Sequence, residues 1–426
     1  MTAPAVRLDR WTDRAAVAAR LAASTATLRL LAATGDPVAR LLAGAGRGDV
    51  YALHERVRAR GPLTRSRTGL VAVTSHALCD RVLREPRFGV QGGTGADAVA
   101  AAAEGPLAGS FLDLDPPDHT RLRRLVAPAF RPRLVRERAA RVEAVVTGLV
   151  ERAAARDSFD LVADVATPLP VAVISELLGI PDADTARFGE IGMVAGRSLD
   201  GVTSLQQADR LRAASEELAG LFTRLARERR ARPADDVISL LAAAEAGGHI
   251  TSGELLATCG LLLVAGFETT VNLVGNGTAA LLADRALWRR LADEPGLAER
   301  VVEETLRHDP PVQLTTRVAR EPVELAGQVL PAGTVVLVDL AAAGRDPTVH
   351  RDPARFDPDR SGEPEHLAFS SGIHHCLGAP LARLEAAVAL RVLAQRLPGL
   401  HRLAGATRRT GATIRGFASL PVGTRG

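Results

Sequence analysis

Twelve consecutive positions, Phe369-Ser-Ser-Gly372-Ile-His374-His375-Cys376-Leu-Gly378-Ala-Pro380, hold the densest cluster of residues able to do chemistry in this chain. Cys376 stands just ahead of an apolar stripe at helical spacing: Leu377, Leu381, Leu384, Val388 and Val392. Pro380 suits the first turn of that helix, and Pro398-Gly399 ends it. A cysteine at a helix N-terminus meets free backbone N–H groups and the positive end of the macrodipole, and both favour thiolate. Gly372 and Gly378 let the backbone come close to something flat or bulky. A thiolate with cleared space beside it suits a metal or haem ligand. The alternative is a buried, inert thiol, where a lone cysteine usually belongs.

A second element must face that loop. Thr251 and Glu254 form a capping box, with Ile250 and Leu255 as its hydrophobic staple. The helical pattern runs to about Ala283, roughly 45 Å at 1.5 Å per residue, which is long enough to cross a domain. Its middle carries Gly266, Glu268, Thr269, Thr270 and Asn272, where a packed core would prefer aliphatics. Two β-like patches interrupt the helices, Leu63–Thr74 and Val318–Val338, the latter with turns at Gly327 and Pro331-Ala332-Gly333. The Gly- and Ala-rich stretch Gln91–Ser110 reads as a loop. Asp346–Pro364 reads as a meandering connector too long to lack a task. Residues 1–45 read as an N-terminal extension with one weakly amphipathic helix, and 46–426 as one mainly helical domain with a minor β region.

Composition excludes several classes. The 426 residues are 46% hydrophobic and 24% charged, as expected for a globular chain. Net charge is +4 and aromatics are 3%, which offers neither the basic footprint nor the stacking platforms of a nucleic-acid binder. The sequence contains no lysine, so all its bases except histidine are arginines and the pI is about 9.7. Cys79, Cys259 and Cys376 are too few and too scattered for a disulfide framework. Ala15–Ala33 carries Arg20 and Arg29, and Leu255–Ala283 is broken by Glu268, Asn272 and Asn276. Neither stretch is expected to span a membrane. With no secretory leader, the expected location is the cytoplasm.

The pattern Phe-x-x-Gly-x-His-x-Cys-x-Gly resembles the haem-binding loop of the cytochromes P-450, the haem-thiolate monooxygenases. Ala265-Gly266-Phe267-Glu268-Thr269-Thr270 is similar to that family's oxygen-activating segment. Glu304-Thr-Leu-Arg307, ahead of Asp309-Pro310-Pro311, is similar to its Glu-x-x-Arg motif. The spacing alone is weak, since Glu55 and Arg58 also satisfy it; order and context single out the later pair. The likeness extends from about Gly48 onward and implies the cytochrome P-450 fold, with haem between the long central helix and the Cys-loop helix.

The resemblance assigns roles residue by residue. Cys376 would be the iron ligand, with Phe369, Gly378, Ala265 and Gly266 against the haem. His119, Arg123, Arg317 and His374 would hold its propionates, which need cationic or hydrogen-bonding partners inside a protein. Thr269 and Glu268 would deliver protons to oxygen. Glu304, Arg307 and Arg360 would form a structural network. Leu262, Val312, Leu314, Thr315 and Phe417 would line the substrate pocket, with further segments at Gln91–Ser110 and Met193–Gln206. Four positions depart from the usual pattern: Ser370 for glycine, His375 for an aromatic, Gly344 for asparagine and His308 for tyrosine.

The implied reaction places one oxygen atom of O₂ into a hydrophobic small molecule, by hydroxylation or epoxidation. The cofactor would be haem b. Electrons would come from NAD(P)H through a separate ferredoxin and ferredoxin reductase, since the chain holds no segment resembling a flavin or iron–sulfur module. A polyketide, macrolide or terpenoid substrate is expected, with a fatty acid or steroid as the alternative, and the protein is expected to be a monomer. A peroxide-driven peroxygenase or a haem sensor would not need the Glu268-Thr269 pair. A zinc cluster of His350, His366, His374, His375 and Cys376 would lack close-paired cysteines. Eight arginines and one acid, Glu137, lie between Arg121 and Arg141, a basic run suited to an acidic electron donor.

Overall fold

The computed structural model describes residues 14–44, 49–92 and 109–425, so most of the Gln91–Ser110 loop lies outside the described residues. The chain opens with helices α1 (Arg14–Ala33), α2 (Pro37–Gly44), α3 (Val50–Arg58) and α4 (His76–Arg84). Next come α5 (Asp118–Val126), α6 (Pro132–Glu137), α7 (Ala139–Ala154), α8 (Pro168–Leu178), α9 (Asp182–Gly196), α10 (Leu205–Ala231) and α11 (Val237–Ala246). The long central helix is α12 (Ser252–Leu282), followed by α13 (Arg285–Asp293), α14 (Leu297–His308), α15 (Leu340–Gly344) and α16 (Ala379–Arg396).

Helix starts follow their caps. Side chains of Asp49, Ser75, Ser204, Asp236, Thr251 and Asp284 each accept a backbone N–H of the helix they open. Each such cap is worth about 1 kcal/mol. The capping box expected at Thr251 and Glu254 is present in both directions. Helix α12 runs through the core against α8, α9, α14 and α16 and is buried over most of its length. It is apolar and long enough to cross a membrane by composition, yet its burial makes it a core helix.

The strands include β1 (Thr64–Arg65), β2 (Val71–Val73), β3 (Phe88–Gly89), β4 (Ser158–Asp160), β5 (Leu314–Ala319), β6 (Val323–Leu325), β7 (Gln328–Leu330) and β8 (Val335–Asp339), and the main sheet joins five of them in the order β1-β2-β8-β5-β3. Strand β5 starts four residues ahead of the expected patch. Its Leu-Thr-Thr-Arg run reads as polar, but pairing of Leu314 with Asp339 through Val318 with Val335 holds it in the ladder. Helix α2, within the stretch read as an extension, buries Val38 and Leu41 completely against Leu314, Leu337 and their neighbours.

Candidate functional site

The Cys376 loop is closed by its own backbone. The Cys376 N–H donates to the Phe369 carbonyl at 2.8 Å, and a short turn over Gly372–His374 carries the chain between them. Gly372 has φ +69°, and a Cβ there would strike the Leu83 carbonyl of α4. This glycine therefore accommodates the chain itself rather than a bound group. Gly378 does what its position suggests: the nearest atom to a Cβ built there is the Cys376 Sγ, 4.0 Å away. Burial pushes the Cys376 thiol above its ordinary range; the Gly378 and Ala379 amides, with the charges of Arg123 and Arg383, pull it back. The side chain keeps exposed surface, so a bound group can reach the sulfur.

Four positive or protonatable side chains converge beside this loop. The rings of His119 and His374 meet at a tilt of 56°, with centroids 4.5 Å apart. Neither ring nitrogen of His119 has a hydrogen bond, although the Ile373 carbonyl is near enough to favour its proton, and His374 Nε2 has no partner. Arg317 is 4% exposed and bonds only the Thr316 carbonyl and, at 3.5 Å, the hydroxyls of Thr315 and Ser370. Arg123 donates to the His375 carbonyl at 2.6 Å. Among the described residues neither arginine makes an ion pair. Burial drags Arg317 down to about 10, with Asp115 alone opposing. Burial and then the charges of Arg317, His119 and Arg123 drive His374 down to about 3. Such a cluster of unbalanced donors requires anionic groups to neutralise it. Two carboxylates at this point satisfy it, which is the chemistry of haem propionates.

Helix α12 opens in its middle. Ala265 is exposed and Gly266 and Thr269 are half-buried, while their neighbours on the helix are buried. With Leu262 they fall at i, i+3, i+4 and i+7, one face of the helix. The Thr269 hydroxyl donates to the Ala265 carbonyl at 2.8 Å. Glu268 points elsewhere: it is 5% exposed, bonded to Arg409 and, at 3.4 Å, to the Asn272 side chain. Burial pushes Glu268 above the usual carboxylate range, and Arg409 opposes it.

Comparison with known proteins decides the family. The family model described as Cytochrome P450 matches residues 203–397. The monooxygenase PikC of Streptomyces venezuelae is 41% identical over 83% of this chain and 85% of its own. Erythromycin C-12 hydroxylase of Saccharopolyspora erythraea is 37% identical over 87% and 91%. The crystal structure of Mycobacterium smegmatis CYP164A2 superposes with a TM-score of 0.83 at 40% identity, covering 91% of this chain and 99% of that one. The chain belongs to the cytochrome P450 family. It is an oxidoreductase of the monooxygenase class and has the P450 fold, as the motifs implied.

The Glu-x-x-Arg motif of this P450 does structural work. Arg307 grips Glu304 with two 2.7 Å bonds and donates to the carbonyls of Gly344, Pro353 and Arg355. Arg360 reaches Glu304 at 3.2 Å and the carbonyls of Arg351, Asp352 and Arg355. The 346–364 connector is thereby fastened to α14. Gly344, the departure from asparagine, sits where any Cβ would meet the Arg307 carbonyl. Ser370 takes φ +62°, the left-handed region its glycine counterpart tolerates freely, and offers its hydroxyl to Arg317. His308 bonds the Ala354 carbonyl, and His350 and His366 are tied to Glu363 and Glu303.

Not every residue assigned to the P450 substrate pocket gathers at the α12 opening. Thr315 shares a face of β5 with Arg317. Leu314 lies on the opposite face, buried with Val38, Val57 and Leu337. Phe417 is 4% exposed, covered by Arg408 at 3.7 Å and set against Gly275, ten residues past Ala265 on α12. Val312 bridges Ile414. Leu314 and Phe417 are thus core residues here, because strand alternation and helix position turn them away from the opening. Sequence reading missed Arg409 and Asp200, which bond each other at 3.4 Å beside Glu268. Their separation in the chain leaves no local spacing to read. Gly196 closes on the same group, since a Cβ there would lie 2.7 Å from Glu268 Oε2.

Proposed function

We propose that this P450 oxidises a hydrophobic natural product of the polyketide, macrolide or terpenoid kind, by hydroxylation or epoxidation, with Cys376 as the iron ligand. The observation that carries the site assignment is the unbalanced cluster of His119, Arg123, Arg317 and His374 beside Cys376, whose donors fit the two propionates of haem b. Bound there, haem supplies O₂ binding and activation, which thiolate donation strengthens. Ala265, Gly266 and Thr269 would form the wall facing Cys376, since α12 and α16 pack on each other. Thr269 holds its hydroxyl on the helix carbonyl, with oxygen lone pairs left to orient water. Glu268, bonded to Arg409, is the nearby carboxyl able to exchange a proton. Leu262, Ala265 and Gly266 on the open face of α12 favour an aliphatic ligand, and a relative named for hydroxylating erythromycin supports a bulky one.

Electrons would reach the site from NAD(P)H through a separate ferredoxin and ferredoxin reductase, in a cytoplasmic monomer whose haem domain is 46–426. The test is spectroscopic. Reduced, CO-bound protein should show a Soret band near ~450 nm, lost in Cys376→Ala and kept in Cys79→Ala and Cys259→Ala. A band that survives Cys376→Ala ends the assignment. Titrating the ferric spin state against a panel of macrolides, terpenoids, fatty acids and steroids would select the substrate class. Spin-state shifts only with fatty acids or steroids would replace the natural-product reading.

A further inference from the structure

We infer that Arg383 and Glu303 set the charge behind the Cys376 thiolate, with Phe369 as the bridge, and so tune the electron-donating strength of that ligand. The inference depends on Cys376 ligating haem iron, as proposed above. Because the Cys376 N–H is bonded to the Phe369 carbonyl, whatever fixes Phe369 also fixes the sulfur. The Arg383 guanidinium lies 4.7 Å from the Phe369 ring centroid, and the rings of His366 and His375 stand 5.8 and 6.4 Å away. A cation over an aromatic face at this distance is held by the ring quadrupole.

Arg383 is itself held by a two-pronged grip. Its Nε donates to Glu303 Oε1 at 2.6 Å and its Nη2 to Oε2 at 2.9 Å. His366 adds a third bond: the Ala368 N–H donates to its Nδ1 at 3.3 Å, so Nε2 carries the proton that meets Glu303 Oε2 at 3.2 Å. Burial would raise Glu303, yet the hydrogen bonds of His366 and Arg383 bring it down to about 2, which keeps it an anion. The result is a fixed dipole, with its positive end over Phe369 and its negative end on α14.

That orientation has a consequence at sulfur. Arg383 stands seven positions past Cys376, on the helix that follows it, and its charge lies over the ring of the residue whose carbonyl holds the Cys376 amide. An iron–thiolate centre carries one more positive charge when oxidised than when reduced. Removing the cation over Phe369 should favour the oxidised state, and removing the anion on α14 that offsets it should favour the reduced state. Both side chains line a groove of about 760 Å³, with Val135, Arg136, Leu384 and Arg391. Arg383 is 38% and Glu303 46% exposed there, so solvent ions reach them and salt should weaken their influence.

The test is the ferric/ferrous midpoint potential of holoenzyme in low and high salt. Arg383→Gln should move the midpoint negative, Glu303→Gln should move it positive, and the double variant should fall between them. Arg383→Lys, which keeps the charge without the fork, should stay nearer wild type than Arg383→Gln. All four shifts should shrink at high salt. A merely structural pair would lower haem content in both single variants without ordering the sign of the potential. Shifts in the same direction, or none, in protein with a full ~450 nm CO band overturn the inference. If Arg383→Gln loads no haem, Glu303→Gln decides alone, and no positive shift there is a refutation. A wild-type protein without that band would instead refute the ligand assignment itself.

Discussion

Arg409 bonds the buried carboxylate of Glu268, although 141 positions separate them in the chain. Its other nitrogen reaches Asp200, whose second oxygen accepts from the Thr413 and Ile414 amides. The acid beside Thr269 is therefore held by two segments remote from it in sequence. Removing Arg409 should leave Glu268 buried and unpaired, at a cost of about 3 kcal/mol near neutral pH. The sign follows from the raised carboxyl: Glu268 binds its proton more tightly folded than unfolded. Its charge is a penalty above the folded pKa, relieved as pH falls through that value towards the unfolded one. Arg409→Gln should enlarge this penalty and extend it to higher pH. Thermal unfolding from pH 5 to 8 should show the variant recovering stability on acidification, with Arg409→Gln/Glu268→Gln largely flat in comparison. A pH-independent loss in the single variant would mean that the pair does not govern Glu268.

Thr269→Ala should bind haem and substrate normally but divert electrons to hydrogen peroxide. The hydroxyl that orients water at the open stretch of α12 is gone, and the remaining helix is intact. NAD(P)H consumed per product formed is the measurement. Unchanged coupling in both Thr269→Ala and Glu268→Gln would remove the pair from the mechanism.

Glu304→Ala or Arg307→Ala should give little holo-protein. Both side chains are nearly fully buried, so each deletion leaves an unpaired charge costing about 3–5 kcal/mol. The loss falls where the 346–364 connector is fastened, close in the chain to the Cys376 loop. A variant with full haem content and merely slow turnover would contradict this.

The parts of the fold that follow local rules were legible. The capping box at Thr251, the stop at Pro398-Gly399 and the helix behind Cys376 all stand where composition put them. The cysteine loop and the Glu304–Arg307 pair were legible too, because their chemistry is packed into short spacing. Tertiary choices were not. Nothing in Leu-Thr-Thr-Arg says which face of β5 meets the site; only the pairing with β8 separates Leu314 from Thr315. Likewise Arg409, Asp200 and Arg383 acquire roles only when distant segments meet. Gly372 shows the limit of reading glycines: its missing Cβ makes room for Leu83, not for a ligand.

Ser370→Gly should stabilise the protein by about 1 kcal/mol, the cost of holding a residue with a Cβ in the left-handed region. The Ser370 hydroxyl bonds Arg317 at only 3.5 Å, too long to offset that strain. Denaturant unfolding of both proteins measures the difference. A destabilised glycine variant would show that the serine is kept for Arg317.

The last expectation concerns the electron donor. Of the eight arginines from Arg121 to Arg141, four are committed elsewhere: Arg121 to Glu254 and Asp118, Arg123 to the His375 carbonyl, and Arg138 and Arg141 to Glu176. Arg124, Arg131, Arg133 and Arg136 face outward, with Arg133 sharing charge with Glu137 at 3.1 Å. These four lie on α5, α6 and the segment between them, and α6 packs against α16, the helix that follows Cys376. A cationic patch there would steer an acidic ferredoxin by long-range attraction. Raising salt from 0.1 M to 1 M shortens the Debye length from ~10 Å to ~3 Å, so association should slow steeply. Arg124→Glu should slow reduction more than Arg133→Glu, because Glu137 already offsets part of the Arg133 charge. Both variants should keep the CO spectrum and substrate binding. Stopped-flow reduction rates indifferent to salt and to both reversals would place the docking surface elsewhere on the molecule.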